Sequence, residues 1–180
     1  MSLKLIKPDK KYLPSVYEAV EEYKAHPSRF QISEVRKMIS ATENSFADYF
    51  QNIDNEEAGI GLKPGYVPQS VYWLVDDSHY IGVFALRHSL TPNLENIGGH
   101  IAYQIRPSEL RKGYAFQGLK LCLKEAYKKG IEKALITCNA DNAASYGVMH
   151  KAMSECGGYE DMVFKTDDLT ERRVWVITGK

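Results

Sequence analysis

Apolar residues change their spacing along the chain, from the period of a helix to that of a strand. After Tyr12 they recur at helical spacing until Pro27, and a second helical stretch runs from about residue 33 to residue 50. From Val71 onward, short runs of β-branched and aromatic residues alternate with polar turns, which is the pattern of strands. Helices that precede a series of strands and later alternate with them indicate an α+β domain with a mixed sheet.

Glycine, proline and capping residues set the remaining boundaries. Residues 51–70 are rich in glycine and proline, which predicts a long loop. A helix is predicted over residues 113–129, and Asp141 or Asn142 caps another that ends before Gly157. The predicted strands are residues 3–6, 71–75, 80–87, 100–105, 133–138, 159–165 and 172–178. No repeat or linker interrupts this order, so residues 1–180 are predicted to form a single domain.

Charge and cysteine usage exclude several classes of function. Lys+Arg and Asp+Glu each number 23, so the formal net charge is zero and bulk attraction to nucleic acid or an anionic membrane is not expected. Cys122, Cys138 and Cys156 are widely spaced and form no CxxC pair, which argues against a disulfide framework or a cysteine zinc site. No apolar run has the length of a signal-peptide core or a membrane span. We therefore expect a cytoplasmic protein without a metal, a nucleic-acid partner or a membrane partner.

Residues 100–119, HIAYQIRPSELRKGYAFQGL, contain a predicted junction between a strand and a helix. The strand ends at Arg106-Pro107 and the helix opens at about Gly113, where the first helical amides have no intrahelical acceptor. Arg111 and Lys112 add positive charge at a helix end that already carries a positive dipole, and a bound anion would relieve this mismatch. The junction therefore predicts a phosphate or pyrophosphate site. The chain contains neither GxGxxG nor GxxxxGK[ST], so a dinucleotide fold and a P-loop are not supported.

Two phrases resemble the GNAT acetyltransferases: RPSELRKGYA at the junction, and ALITCNADNAAS before a second helix. The resemblance implies a mixed, mostly antiparallel sheet flanked by helices, in which the strand ending at Ile105 splays away from residues 133–138. Acetyl-CoA is expected in the resulting cleft. Its pantetheine arm would pair with the backbone of Tyr103, Ile105 and Arg106. Its pyrophosphate would meet the turn formed by Arg111, Lys112, Gly113, Tyr114 and Ala115.

The chain departs from the family pattern at several positions. The family signature [QR]xxGx[GA] begins here at Leu110, which weakens side-chain assistance more than the backbone amides. In the second motif, Asn142 and Ser145 fall where the family contacts pantetheine. The tyrosine that many members use to protonate the leaving thiolate falls at Met149, so Tyr146 and His150, on the same helix, are the candidates for that role.

The general base is not fixed by the sequence. The carboxylate base of some family members would align with Gly99. His100 is adjacent, but one residue along a strand turns a side chain to the other face, so a structural histidine is the favoured interpretation. Deprotonation through ordered water to bulk solvent is equally consistent with the sequence.

The resemblance predicts an N-acetyltransferase that acts on a primary amine of a small molecule or a peptide, as a monomer or homodimer. Residues 42–61 contain five acidic residues and neither Lys nor Arg, so this stretch could attract a cationic amine, although a solvated helix end explains it as well. The alternative function is a CoA-binding or acyl-CoA-sensing module that has lost its chemistry, because Met149 and Gly99 stand at catalytic positions.

Overall fold

A computed structural model describes residues 3–77 and 79–179, so Met1, Ser2, Ser78 and Lys180 lie outside the described residues. The helices are α1 (Leu13–Ala25), α2 (Ser33–Glu43), α3 (Phe46–Ala58), α4 (Pro92–Asn96), α5 (Tyr114–Lys128) and α6 (Ala143–Cys156). The strands are β1 (Lys4–Ile6), β2 (Gln69–Val75), β3 (Tyr80–Arg87), β4 (Ile101–Ile105), β5 (Lys133–Asn139), β6 (Gly158–Glu160), β7 (Phe164–Lys165) and β8 (Thr170–Ile177).

The strands form two four-stranded antiparallel sheets. The first has the order β1-β2-β3-β4. In the second, β5 and β6 flank β8, and β7 pairs with a further part of β8. Helices α1, α2 and α3 pack around Trp73 on one face of the first sheet, whereas α5 and α6 share a core with its other face and with the second sheet. The prediction of an α+β domain with mainly antiparallel strands flanked by helices is confirmed.

The second predicted helix is wrong in its extent. Instead of one helix over residues 33–50 followed by a loop, α2 ends at Glu43 and α3 continues to Ala58. Ser45 interrupts the helical run because its side chain accepts a hydrogen bond from the Asp48 N–H as an N-cap. The new helix extends into the predicted loop because buried Ile53 continues its apolar face, and it stops at Gly59, which has a left-handed φ of 74°.

Helix α5 lies unusually close to the first sheet. A Cβ atom at Gly118 would collide with the Phe84 ring and meet Leu74 Cδ2 at 3.0 Å. Only glycine therefore allows this helix–sheet distance, and the distance fixes where the N-terminus of α5 stands relative to the end of β4.

His100 joins the two sheets. Its backbone N–H donates to the Leu135 carbonyl at 2.7 Å, and its Nδ1 accepts from the Leu135 N–H at 3.0 Å. The residue is 7% exposed, and its ring packs edge-on against Trp175 with the centroids 6.2 Å apart. Burial, and secondarily the charge of Arg87, lowers the pKa of His100 to about 4, so the ring stays neutral and Nδ1 remains an acceptor. The contacts of His100 therefore support a structural role for this residue rather than a role as general base.

We expect His100 to make unfolding sensitive to pH. Its folded pKa lies below the ordinary value of 6.5, so the unfolded chain takes up the proton first and the free energy of unfolding declines as the pH falls from 6.5 to about 4. His100→Asn keeps an acceptor for the Leu135 N–H but removes the titrating ring. Between about pH 7 and pH 5, the parent should lose about 1–2 kcal/mol more than the variant in urea unfolding. Equal losses in the two proteins would contradict this role.

Candidate functional site

Strands β4 and β5 separate beyond His100. They belong to different sheets, and among the described residues no ladder joins Ile101–Ile105 to the end of β5. We call the space between Ile101–Ile105 and residues 137–142 the β4–β5 gap. On its other side β4 pairs with β3, where the Arg106 N–H donates to the Ile81 carbonyl at 2.9 Å. Because antiparallel residues alternate in direction, Tyr103 and Ile105 turn their N–H and C=O groups toward the gap.

The side chain of Tyr103 lies along the gap and reaches the first turn of α6. Its hydroxyl is 3.1 Å from Ser145 Oγ, and its ring stacks on Phe84 with the centroids 5.5 Å apart. Burial raises the pKa of the Tyr103 phenol, so it is a neutral hydroxyl at physiological pH. The Ser145 hydroxyl also lies 3.8 Å from the sulfur of buried Met149. Two hydroxyl groups therefore meet at this wall of the gap.

The turn before α5, residues 107–113, supplies free backbone amides. Arg111 and Gly113 both have left-handed φ angles, of 64° and 82°, and Gly113 caps α5 without a side-chain hydrogen bond. The first amide to bond back into the helix is that of Gln117, which donates to the Gly113 carbonyl at 3.2 Å. The N–H groups of Tyr114 and Ala115 thus have no intrahelical acceptor. Arg111 and Lys112 are exposed beside them, and Lys112 Nζ lies 3.0 Å from Glu109 Oε2.

The Arg106 side chain points away from the gap and anchors this turn to α1. Its Nε donates to Glu22 Oε1 at 3.0 Å, and its Nη1 donates to Ser15 Oγ at 3.1 Å. The Ser108 N–H donates to the other Glu22 oxygen at 2.9 Å. Burial raises the pKa of Glu22, but the hydrogen bonds from Arg106 and Ser108 outweigh it and leave that pKa below its ordinary value. The Arg106 backbone is engaged as well, since its N–H donates to the Ile81 carbonyl and its carbonyl accepts from the Glu109 N–H at 3.0 Å. Unlike Tyr103 and Ile105, Arg106 therefore does not present the backbone groups to the gap that the sequence resemblance implied.

Asn142 is the N-cap of α6. Its Oδ1 accepts from the Ser145 N–H at 3.1 Å, which is the capping role predicted from the sequence. Its Nδ2 makes no hydrogen bond to another described residue, so the same side chain retains a donor.

The structure places Tyr146 and His150 on a different side of α6 from Ser145. The Tyr146 hydroxyl donates to Glu160 Oε2 at 3.1 Å, and its ring lies under the Arg172 guanidinium at 4.3 Å. The hydrogen bond to Glu160 raises the pKa of Tyr146. His150 is exposed, with its ring 6.0 Å from that of Tyr146. Neither contact joins these two side chains to Tyr103, whereas Ser145 contacts it directly.

The acidic stretch at residues 42–61 lies against β2, two strands from β4. Glu56 pairs with Lys37 at 2.6 Å and Glu57 pairs with Lys7, so the stretch is partly neutralised. It borders a cavity of about 570 Å³ between α2, α3 and residues 60–69. Because α3 packs against β2, two strands separate this stretch from the β4–β5 gap.

Residues 26–32, which we call the bridging loop, contact both walls of the gap instead. The Ile32 N–H donates to Gln104 Oε1 on β4 at 3.0 Å, and Arg29 pairs with Asp141, just after β5, at 3.3 Å. The sequence carried no signal for this, because it depends on how α1 and α2 are placed in the fold.

None of the helices in residues 3–77 and 79–179 combines the length and apolar character that a bilayer crossing requires. Within the same residues, no group of three or more His, Cys, Asp or Glu side chains is arranged as metal ligands would be.

Comparison with known proteins identifies a family whose sequence profile matches this chain and several solved structures with a similar fold. The sequence profile described as "Acetyltransferase (GNAT) domain" matches residues 3–153. No sequence among the curated proteins matches the chain significantly.

Several solved structures share the fold at low identity. RimL, a ribosomal L7/L12 alpha-N-protein acetyltransferase in complex with coenzyme A, has a TM-score of 0.68 at 17% identity, covering 100% of this chain and 97% of that one. The microcin C7 self-immunity acetyltransferase MccE, in complex with acetyl-CoA and AMP, has a TM-score of 0.61 at 15% identity, covering 97% and 92%. A spermidine N-acetyltransferase SpeG chimera from Vibrio cholerae and hSSAT has a TM-score of 0.58 at 13% identity, covering 99% and 96%.

Proposed function

The chain belongs to the GNAT acetyltransferase family, and we propose that it transfers the acetyl group of acetyl-CoA to a primary amine of a small molecule or peptide. The observation that carries this proposal is the uncovered edge of β4, where Tyr103 and Ile105 present backbone groups beside the free amides at the start of α5. RimL and MccE, which share the fold, were solved with coenzyme A and acetyl-CoA respectively.

The residues present fit this cosubstrate. The amide groups of pantetheine need a row of backbone donors and acceptors, which Tyr103 and Ile105 supply, and the Asn142 Nδ2 adds a donor on the opposite wall. A pyrophosphate needs several convergent N–H groups and positive charge, which the turn from Arg111 to Ala115 supplies.

The chemistry required of this chain is positioning and charge stabilisation. A neutral amine attacks the thioester carbonyl, and most of the rate gain comes from holding both substrates in one cleft. A backbone N–H on the free edge of β4 polarises that carbonyl. The departing thiolate needs a proton. The sequence assigns its delivery to Tyr146 or His150, but the geometry favours the Ser145 hydroxyl, backed by Tyr103.

The second candidate function is a CoA-binding or sensing module without turnover. It is favoured by Met149, which is fully buried where many family members have a phenol, and by Gly99, where some have a carboxylate. In this function the cleft binds CoA but no amine reacts.

Thiol release separates these two functions. The protein is incubated with acetyl-CoA and a panel of primary amines, and free CoA is measured against the background without an amine. We expect at least one amine to raise the rate of release well above background. CoA binding without any amine-dependent release would support the sensing module instead.

We expect Gly113→Val to abolish CoA-induced thermal stabilisation. A β-branched residue is strained at a φ of 82° and would rotate the amides of the turn out of place. Gly130→Val is the matched control, because Gly130 has a φ of 80° in open space at the other end of α5. Both variants should melt at a lower temperature than the parent, but only Gly130→Val should still be stabilised by CoA. If CoA still stabilised a folded Gly113→Val protein, the assignment of the pyrophosphate to this turn would be contradicted.

We expect Ser145→Ala to lower kcat by about tenfold or more, equivalent to about 1.4 kcal/mol, with CoA affinity little changed. The loss follows because the donor nearest the leaving thiolate is removed, while the Asn142 cap still accepts from the backbone N–H at this position. Tyr146→Phe and His150→Ala should retain turnover, since Tyr146 contacts Glu160 and Arg172, His150 contacts the Tyr146 ring, and neither contacts Tyr103. A large loss in Tyr146→Phe alone would return the role to the phenol, and full activity in all three would leave solvent as the proton source.

A further inference from the structure

Glu171 is a buried carboxylate without a cationic partner. It lies on β8, opposite Asn139 of β5, and is 6% exposed. None of the ion pairs within residues 3–77 and 79–179 includes it, because its neighbours Arg172 and Arg173 pair with Glu160 at 3.6 Å and Asp161 at 2.9 Å. Burying an unpaired charge is costly, so such a group is usually protonated or is completed by a ligand.

The register of β8 places Glu171 on the face of the second sheet opposite α6. Val174 and Val176 enter the core shared with α6, so the alternate residues, Glu171 and Arg173, project to the other face. Thr137, opposite Arg173, projects there too, and its Oγ1 accepts the Gly98 N–H at 2.8 Å. Glu171 therefore lies one strand away from the β4–β5 gap, on the face where residues before β4 meet β5.

This face lies opposite the groups that the proposed function assigns to acetyl-CoA. The groups assigned to acetyl-CoA, the start of α5 and the Tyr103–Ser145 pair, lie on the side of α5 and α6. With acetyl-CoA on that side, the proposed function requires the amine to reach the carbonyl from the opposite face, where the bridging loop lies. Glu171 is a buried carboxylate on that face, one strand from the gap.

We propose that Glu171 binds the ammonium group of the acceptor and takes one proton from it before acetyl transfer. This rests on the proposed function and extends it, because it selects acceptors that arrive as cations at neutral pH.

The titration of Glu171 suits this role. Burial raises its pKa, and a hydrogen bond from Thr137 offsets part of that rise. The other titratable or charged groups around it are Cys138 on β5, Lys165 on β7, and Arg172 and Arg173 on β8. Burial raises the pKa of Cys138 to about 11, so the thiol stays neutral and leaves the carboxylate as the proton acceptor.

The protons balance in two steps. The acceptor ammonium gives one proton to the Glu171 carboxylate, which becomes a carboxylic acid as the neutral amine forms. The amine nitrogen then forms the bond to the acetyl carbon while the C–S bond breaks and its electron pair stays on sulfur. A second proton from that nitrogen is delivered to the thiolate by way of Ser145 or solvent, and Glu171 returns its proton to solvent.

The first test needs no turnover. With CoA present, n-butylamine, spermidine and a tripeptide with a free α-amino group are added to the parent and to Glu171→Gln, and melting temperatures are compared. We expect CoA alone to stabilise both proteins, and at least one amine to stabilise only the parent further. Glu132→Gln, the same charge change at an exposed position before β5, should behave as the parent. Equal amine stabilisation of the parent and Glu171→Gln would overturn the proposal.

The second test uses the pH dependence of kcat/KM for an amine that supports CoA release. In the parent, kcat/KM should be level between the pKa of Glu171 and that of the amine. In Glu171→Gln it should fall by about 100-fold or more at neutral pH and rise tenfold per pH unit, because only free neutral amine then reacts. Glu171→Asp should keep a pH-independent kcat/KM over the same range at a reduced value. This variant replaces Glu171→Gln in the test if the Gln variant does not fold.

The outcomes separate the two proposals. A Gln variant with the parent's rate and pH profile overturns the role of Glu171 and leaves the acetyltransferase function intact. A parent that binds CoA but releases none with any amine contradicts the proposed function, and the amine-dependent melting shift then still decides whether Glu171 binds ammonium.

Discussion

The site depends on one contact, the pairing of His100 with Leu135. Two hydrogen bonds, 2.7 Å and 3.0 Å long, join the two sheets at this point. In the described part of the chain, β4 and β5 belong to different sheets and no ladder joins them. Because the sheets are fixed at one end of β4, the rest of that strand can diverge from β5 while keeping its pairing with β3. A buried, neutral histidine does this with both its backbone and its ring, which explains why a residue suited to acid–base chemistry is committed to the fold.

Close packing then sets the distances within the gap. Gly118 lets α5 approach Phe84, and the Arg106–Glu22 pair ties the turn before α5 to α1 from the opposite face of the sheet. The turn is thus held from both sides of the first sheet while its amides remain free. The proposed phosphate-binding role needs this combination, because unbonded N–H groups give the turn no rigidity of their own.

The spacing of apolar residues and two short motifs predicted most of the helices and strands. The strand–turn–helix junction at Arg106–Gly113 was visible because free amides, glycine and basic residues are all sequence properties. The sequence could not show the division into two sheets, which depends on strand pairing over long separations. Nor could it show which side of α6 carries Ser145 and which carries Tyr146, since a rotation of the helix by a fraction of a turn exchanges them. Glu171 was missed because its burial and its unpaired state arise only from the register of β8.

The free edge of β4 has a consequence for association between copies of the chain. An uncovered strand edge is a template for pairing with another strand, and folded proteins usually shield such edges. Here β5 lies across the gap from this edge, and the bridging loop contacts both walls, so these two segments screen the edge from other molecules. The same two segments that define the β4–β5 gap therefore protect the chain from pairing edge to edge with another copy.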